Sequence, residues 1–156
     1  MKRFVFSMQA LLEARVAFEE AAERRLAEGL RILQSSREEL ARVGALLDRE
    51  TASHAALGGR HTSRAELLAH VRYRHALEQM QRKQVQLVAR HEAAVVDLRE
   101  RLRSAMAERQ SLEQVKKAEH RRWAGEVKRL EQKELDELAV QRFLRRPAHA
   151  ALAHVG

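Results

Sequence analysis

The chain has 156 residues, a formal net charge of +8 and a sequence pI of about 10.7. Without cysteine it has no disulfide and no thiolate zinc site. One tryptophan, one tyrosine and four phenylalanines fall short of the aromatic content of a compact globular core. Charged residues make up 33% of the chain, and Ala, Leu, Glu and Arg recur throughout. That is the composition of a long helix or coiled coil.

At the N-terminus, Lys2-Arg3 and Phe4-Val5-Phe6 have the look of a signal-peptide opening. The apolar stretch is broken by Ser7 and Gln9 and stops at Glu13, too short for a signal core or a membrane span. A cytoplasmic location without a transmembrane segment is the expectation. A first helix is predicted over about residues 7–55, where no proline occurs. Phe4, Leu11 and Phe18 are seven apart, and Leu26, Leu33, Leu40 and Leu47 form a second ladder of sevens flanked by Leu30 and Val43. Such seams need a partner helix to bury them. The two ladders are out of phase through Ala22, which predicts a stutter there.

A turn is predicted over about 56–62. Gly58-Gly59 costs about 2 kcal/mol in a helix interior and supplies the dihedrals of a reversal. Ser63-Arg64-Ala65-Glu66 then reads as a capping box opening a second helix over about 63–146, with Pro147 as its stop and a flexible tail over 147–156. In it Val88, Val95 and Leu102 are seven apart, as are His91, Leu98, Ala105 and Leu112, which together make an a/d seam. Trp123, Val127, Leu130, Leu135 and Leu138 continue an apolar stripe. Acid–base pairs four apart support both helices: Glu20 with Arg24, Glu38 with Arg42, Glu78 with Arg82, Asp97 with Arg101, Glu113 with Lys117.

The fold class that follows is all-α, a long antiparallel two-helix coiled-coil hairpin with unequal helices in a single domain over 1–156. The helices would be about 70 Å and about 120 Å long at the α-helical rise. Folding back at Gly58-Gly59 brings the start of the first helix near residues 108–112 and leaves Leu112 to Arg146 without an intramolecular partner. That stretch either bends, with Gly125 as the weak point, or projects as a stalk for another protein to hold.

Chemistry is harder to find. There is no glycine-rich phosphate loop and no serine nucleophile elbow, so no enzyme and no cofactor are expected. The histidines (His54, His61, His70, His75, His91, His120, His149 and His154) lack metal-ligand spacing and read as solvated surface residues. Lys116-Lys117 and Arg121-Arg122-Trp123 suit contact with phosphate, but Glu113, Glu119 and Glu126 interrupt them. No nucleic acid is expected, and a nucleic-acid-associated coiled coil is the alternative from a different class. Tyr73, Leu77 and Met80 read equally as hairpin packing against Leu40 and Val43 or as a partner patch beside the turn. From Leu130 to Phe143 an apolar edge (Leu135, Leu138, Phe143) runs beside a charged one (Lys133, Asp136, Glu137, Arg142). It reads either as a recognition element or as a helix end whose basic last turn, Arg142, Arg145 and Arg146, favours the dipole.

Two stretches resemble the FliJ family of the bacterial flagellar type III export apparatus. Phe4-x-Phe6-x-Met8-x-x-Leu11-Leu12-x-x-Arg15-x-x-x-Glu19 is similar to the family's opening. Gln132-Lys133-x-x-Asp136-Glu137-x-Ala139-x-x-Arg142-Phe143 is similar to its C-terminal signature. Tyr73 and Leu77 fall where the family carries an aromatic residue and a leucine. The resemblance implies a non-enzymatic coiled coil, similar to the central stalk of rotary ATPases, that serves flagellum biogenesis and hence motility. It implies insertion into the ring of the hexameric export ATPase FliI, binding to the cytoplasmic domain of the export gate FlhA, and escort of export chaperones. Placement at the inner membrane of the flagellar base follows from those partners. By position, Phe4, Phe6, Leu11, Arg15, Lys133, Asp136, Glu137 and Arg142 would face the ATPase, and Tyr73 and Leu77 the gate. A virulence-type stalk of the YscO group shares the architecture and is the alternative within secretion. The residues from Ala148 to Gly156 match neither stretch.

Overall fold

In the computed structural model, which describes residues 3–59 and 63–144, the chain is an all-α hairpin. Helix α1 spans Gln9–Ala56, a 3-10 turn spans Leu57–Gly59, and helix α2 spans Arg64–Leu144. The start of α2 is capped as its sequence dictates. The Glu66 N–H donates to Ser63 Oγ at 3.2 Å, and the Ser63 N–H donates to Glu66 Oε2 at 2.9 Å. Each bond satisfies a backbone donor that the first helical turn leaves without a carbonyl. Helix α2 is unbroken through Gly125, with no bend marked there. His61, Thr62, Arg145, Arg146, Pro147, His149 and His154 lie outside the described residues.

The chain divides into two compact units, Ala14–Arg109 and Met1–Glu13 with Gln110–Gly156. In the first, the two helices pack antiparallel through a heptad seam. Val88, Val95 and Leu102 face inward with His91, Leu98 and Ala105, as the ladders of sevens predict. Leu33, Val88 and Val95 form the core, with Leu26 and Leu40 packed against them. Val43 and Leu77 are buried nearer the turn.

The first part of α1 departs from expectation. Its inward positions are Arg15, Glu19, Ala22, Leu26, Gly29 and Leu33, stepping by four and three without interruption. No stutter occurs, and Phe18 is 64% exposed. The seam carries charge here, matched across the hairpin: Arg15 pairs with Glu108 and Glu19 with Arg109. The apolar ladder through Phe18 therefore lies one residue off the true seam. Farther along, the Arg37 guanidinium donates to Glu92 at 2.7 Å, and Gln84 reaches the Ser36 carbonyl at 3.4 Å. Gly29 sits where the helices approach most closely. A Cβ built there would lie 2.6 Å from Leu98 Cδ1.

Two further corrections concern polar groups. His70 is half-buried, with Nδ1 2.5 Å from the buried carboxylate of Glu50 and its ring set edge-on to His54 at 6.3 Å. It is a seam residue rather than a solvated one. Of the expected acid–base pairs four apart, Glu20–Arg24 and Asp97–Arg101 form. Arg42 pairs instead with Glu39, and Glu78 accepts from Arg74. A surface carboxylate chooses among bases three or four residues away on either side at nearly equal energy.

Candidate functional site

Before α1 begins, Arg3–Ser7 runs as a non-helical lead-in, closed where the Gln9 N–H donates to the Phe6 carbonyl at 3.2 Å. Phe6 and Leu12 are buried against α2. Lys116 Nζ lies 5.9 Å from the Phe6 ring centre and donates to Gln9 Oε1 at 2.7 Å. The Phe4 ring meets His120 edge-on at 5.0 Å and leans on Trp123 at 5.8 Å, and those two rings are 5.6 Å apart. The lead-in thus covers α2 as far as Trp123, beyond the expected limit of 108–112. Register explains the shift. Within the unit Ala14–Arg109, the pairs Glu50–His70 and Arg37–Glu92 are symmetric about positions 60–65, several residues past Gly58-Gly59. The packing of the seam, rather than the double glycine, sets which residues face each other.

Every residue from Lys128 to Leu144 is exposed. No other part of the described chain is uncovered over so many turns. Lys133, Asp136 and Glu137, spaced i, i+3, i+4, share one face of α2. Arg142 does not join them. It lies half a turn away, in phase with Leu135 and Leu138. Gln132 Nε2 donates to Asp136 at 2.8 Å, which steadies that carboxylate along the helix. The stretch therefore has two edges, one of mixed charge and one of leucines ending in a guanidinium. Leu135 and Leu138 belong with Arg142 in any contact, a grouping that their spacing already contained.

The other expected contact residues are placed as follows. Phe6 supports the lead-in from below and has no free face, whereas Phe4 is half-buried on its aromatic partners. Phe4 sits at Trp123, ten residues before Lys133 or about 15 Å along the helix, so the two sets are neighbours and not one cluster. Leu11 is 44% exposed. Arg15 belongs to the other unit, paired with Glu108 and with its guanidinium 6.0 Å from the Phe18 ring. Tyr73 is 47% exposed while Leu77 is 3% exposed, so the tyrosine offers a surface and the leucine holds the helix beneath it. Met80 is exposed on the same flank as Tyr73.

Among the described residues no helix is long and apolar enough to cross a membrane, and no three carboxylates or histidines gather as a metal site. A family model described as "Flagellar FliJ protein" matches residues 4–148. The chain belongs to the FliJ family. No curated protein and no solved structure gave a match. Membership makes this a coiled-coil protein connected with flagellar export, and the hairpin and its uncovered end are to be read in that setting.

Proposed function

We propose that this FliJ-family protein is a coupling stalk of flagellar protein export. The end of α2 enters the ring of the hexameric export ATPase FliI and promotes its assembly and activity. The turn end, through Tyr73, contacts the cytoplasmic domain of the export gate FlhA, and the stalk escorts export chaperones. It acts in the cytoplasm, held at the inner membrane of the flagellar base by those partners, and carries out no chemistry itself.

The observation that supports this reading is the uncovered stretch from Lys128 to Leu144, which holds the signature residues Lys133, Asp136, Glu137 and Arg142 on exposed faces. An amphipathic helix presented without cover is a ready docking element. A two-helix stalk has no six-fold symmetry, so inside a six-fold ring it meets each subunit differently and biases their nucleotide states unequally. The test is ATP turnover and ring formation by the purified export ATPase with and without this protein. Turnover and ring formation should both rise. Asp136→Ala with Arg142→Ala should abolish the rise and leave helicity unchanged, since both side chains are exposed. An ATPase indifferent to the wild-type protein would refute the function; one still activated by the double variant would refute the site alone.

A further inference from the structure

Charge is distributed unevenly along the end of α2. Between Lys116 and Arg129 stand Lys116, Lys117, Arg121, Arg122, Lys128 and Arg129 against two carboxylates, Glu119 and Glu126. From Leu130 to Leu144 the balance reverses, with Glu131, Glu134, Asp136 and Glu137 against Lys133 and Arg142. None of these six bases and four acids makes an ion pair among the described residues, whereas Arg15, Arg37 and Arg109 are each paired. Two blocks of opposite sign thus lie end to end on one helix, both unneutralised. Along their shared length runs an apolar arc of Trp123, Val127, Leu130 and Leu138.

We infer that this end of α2 pairs antiparallel with the same stretch of a second copy of the chain, about a two-fold axis between Arg129 and Leu130. That axis sets Arg122 opposite Glu137 and Glu126 opposite Lys133 along one flank of the apolar arc, and Lys128 opposite Glu131 along the other. In antiparallel helix pairs the flanking positions that meet are those symmetric about the axis on the same side of the seam. All three pairs that do so here are complementary. Symmetry makes each contact occur twice. Glu134, the one carboxylate inside the arc, falls opposite Gly125, where a Cβ would meet nothing within 4 Å and water has room to stay. A parallel pair would instead stack the basic block on itself and the acidic block on itself. The occupant that answers both blocks at once is the chain itself. Because Lys133 and Glu137 lie in this contact, the self-paired state withholds the family signature from other partners. The inference rests on the charge pattern and stands apart from the function proposed above.

The test uses the full-length protein. Sedimentation equilibrium should show a monomer–dimer equilibrium that weakens as salt is raised. Glu137→Arg should weaken dimerisation by about tenfold, because two attractive contacts become two repulsive ones. Adding Arg122→Glu should restore it, a rescue that loss of helix would not permit, and circular dichroism should show equal helicity throughout. The chain has no cysteine, so introduced thiols report cleanly. A mixture of Ala124→Cys and Leu135→Cys chains should be joined by a short bismaleimide mainly as the mixed dimer. A chain that stays monomeric overturns the inference, whether it binds heparin, another protein or neither. So does cross-linking of each cysteine variant mainly to itself, which marks parallel pairing.

Discussion

Replacing Gly29 by alanine sets two local effects against each other. Glycine inside a helix costs about 1 kcal/mol relative to alanine, so the added methyl stabilises α1 by about that amount. The same methyl would lie 2.6 Å from Leu98 Cδ1 and 3.7 Å from Val95 Cγ2. Carbon atoms rest about 3.5–4.0 Å apart, so the Leu98 side chain must withdraw by about 1 Å. Overpacking of this kind costs about 1–3 kcal/mol, and a clash with the end of a leucine belongs at the lower end. The net effect should lie between neutral and about 1 kcal/mol destabilising. Gly44, in the same helix, is the internal control, since a Cβ there meets nothing within 4 Å. Gly44→Ala should stabilise by up to about 1 kcal/mol. The difference of about 1–2 kcal/mol between the variants measures the close approach of the helices at Gly29. Urea unfolding followed by far-ultraviolet circular dichroism gives both values. The pair Gly29→Ala with Leu98→Ala adds a coupling term that should be favourable, because the shortened side chain no longer collides. Equal stabilisation at positions 29 and 44 would refute the close approach.

Three further outcomes follow from the packing. Ser63→Ala removes one half of the capping box and should cost about 1 kcal/mol by the same unfolding measurement. Leu77→Ala should cost about 2–4 kcal/mol, while Tyr73→Ala should change stability by less than about 0.5 kcal/mol; only the tyrosine variant should lose gate binding at unchanged helicity in a pull-down. Glu19→Ala leaves Arg109 in a mostly buried seam without that carboxylate and should cost about 1–3 kcal/mol. The swap Glu19→Arg with Arg109→Glu should recover part of the loss, which a double-mutant cycle measures.

The seam of α2 was legible because it is built from the residues that periodicity counts. Val88, Val95 and Leu102 declare a phase by themselves. The seam of α1 between Arg15 and Gly29 was not, because its inward residues are a base, an acid, an alanine and a glycine. Each is acceptable there only because of what α2 sets against it: Glu108, Arg109 and the Leu98 side chain. One helix's sequence does not contain that complement, and Phe18 misled the reading because it is the largest apolar residue nearby. Turn chemistry showed the same division. The Ser63 cap is a local hydrogen-bonding matter and could be read directly, whereas register is a sum over the whole seam and was misplaced by several residues. At the candidate site, the spacing of Lys133, Asp136 and Glu137 was enough to group them. That Phe6 and Leu77 are supports rather than surfaces required knowing what packs on them.

The uncovered stretch from Lys128 to Leu144 also has a thermodynamic consequence. It is 17 residues long, close to the length at which an isolated helix in water is only marginally stable. Its backbone hydrogen bonds are held by local propensity alone, so its amides should exchange with solvent far faster than those around Leu33, Val88 and Val95. Whatever docks on it must also hold it helical, and that ordering is part of the affinity. Capture should therefore be read in a calorimeter as a favourable enthalpy set against an ordering entropy, with a negative heat-capacity change as the leucines leave water. In hydrogen exchange it should appear as protection that begins near Lys128.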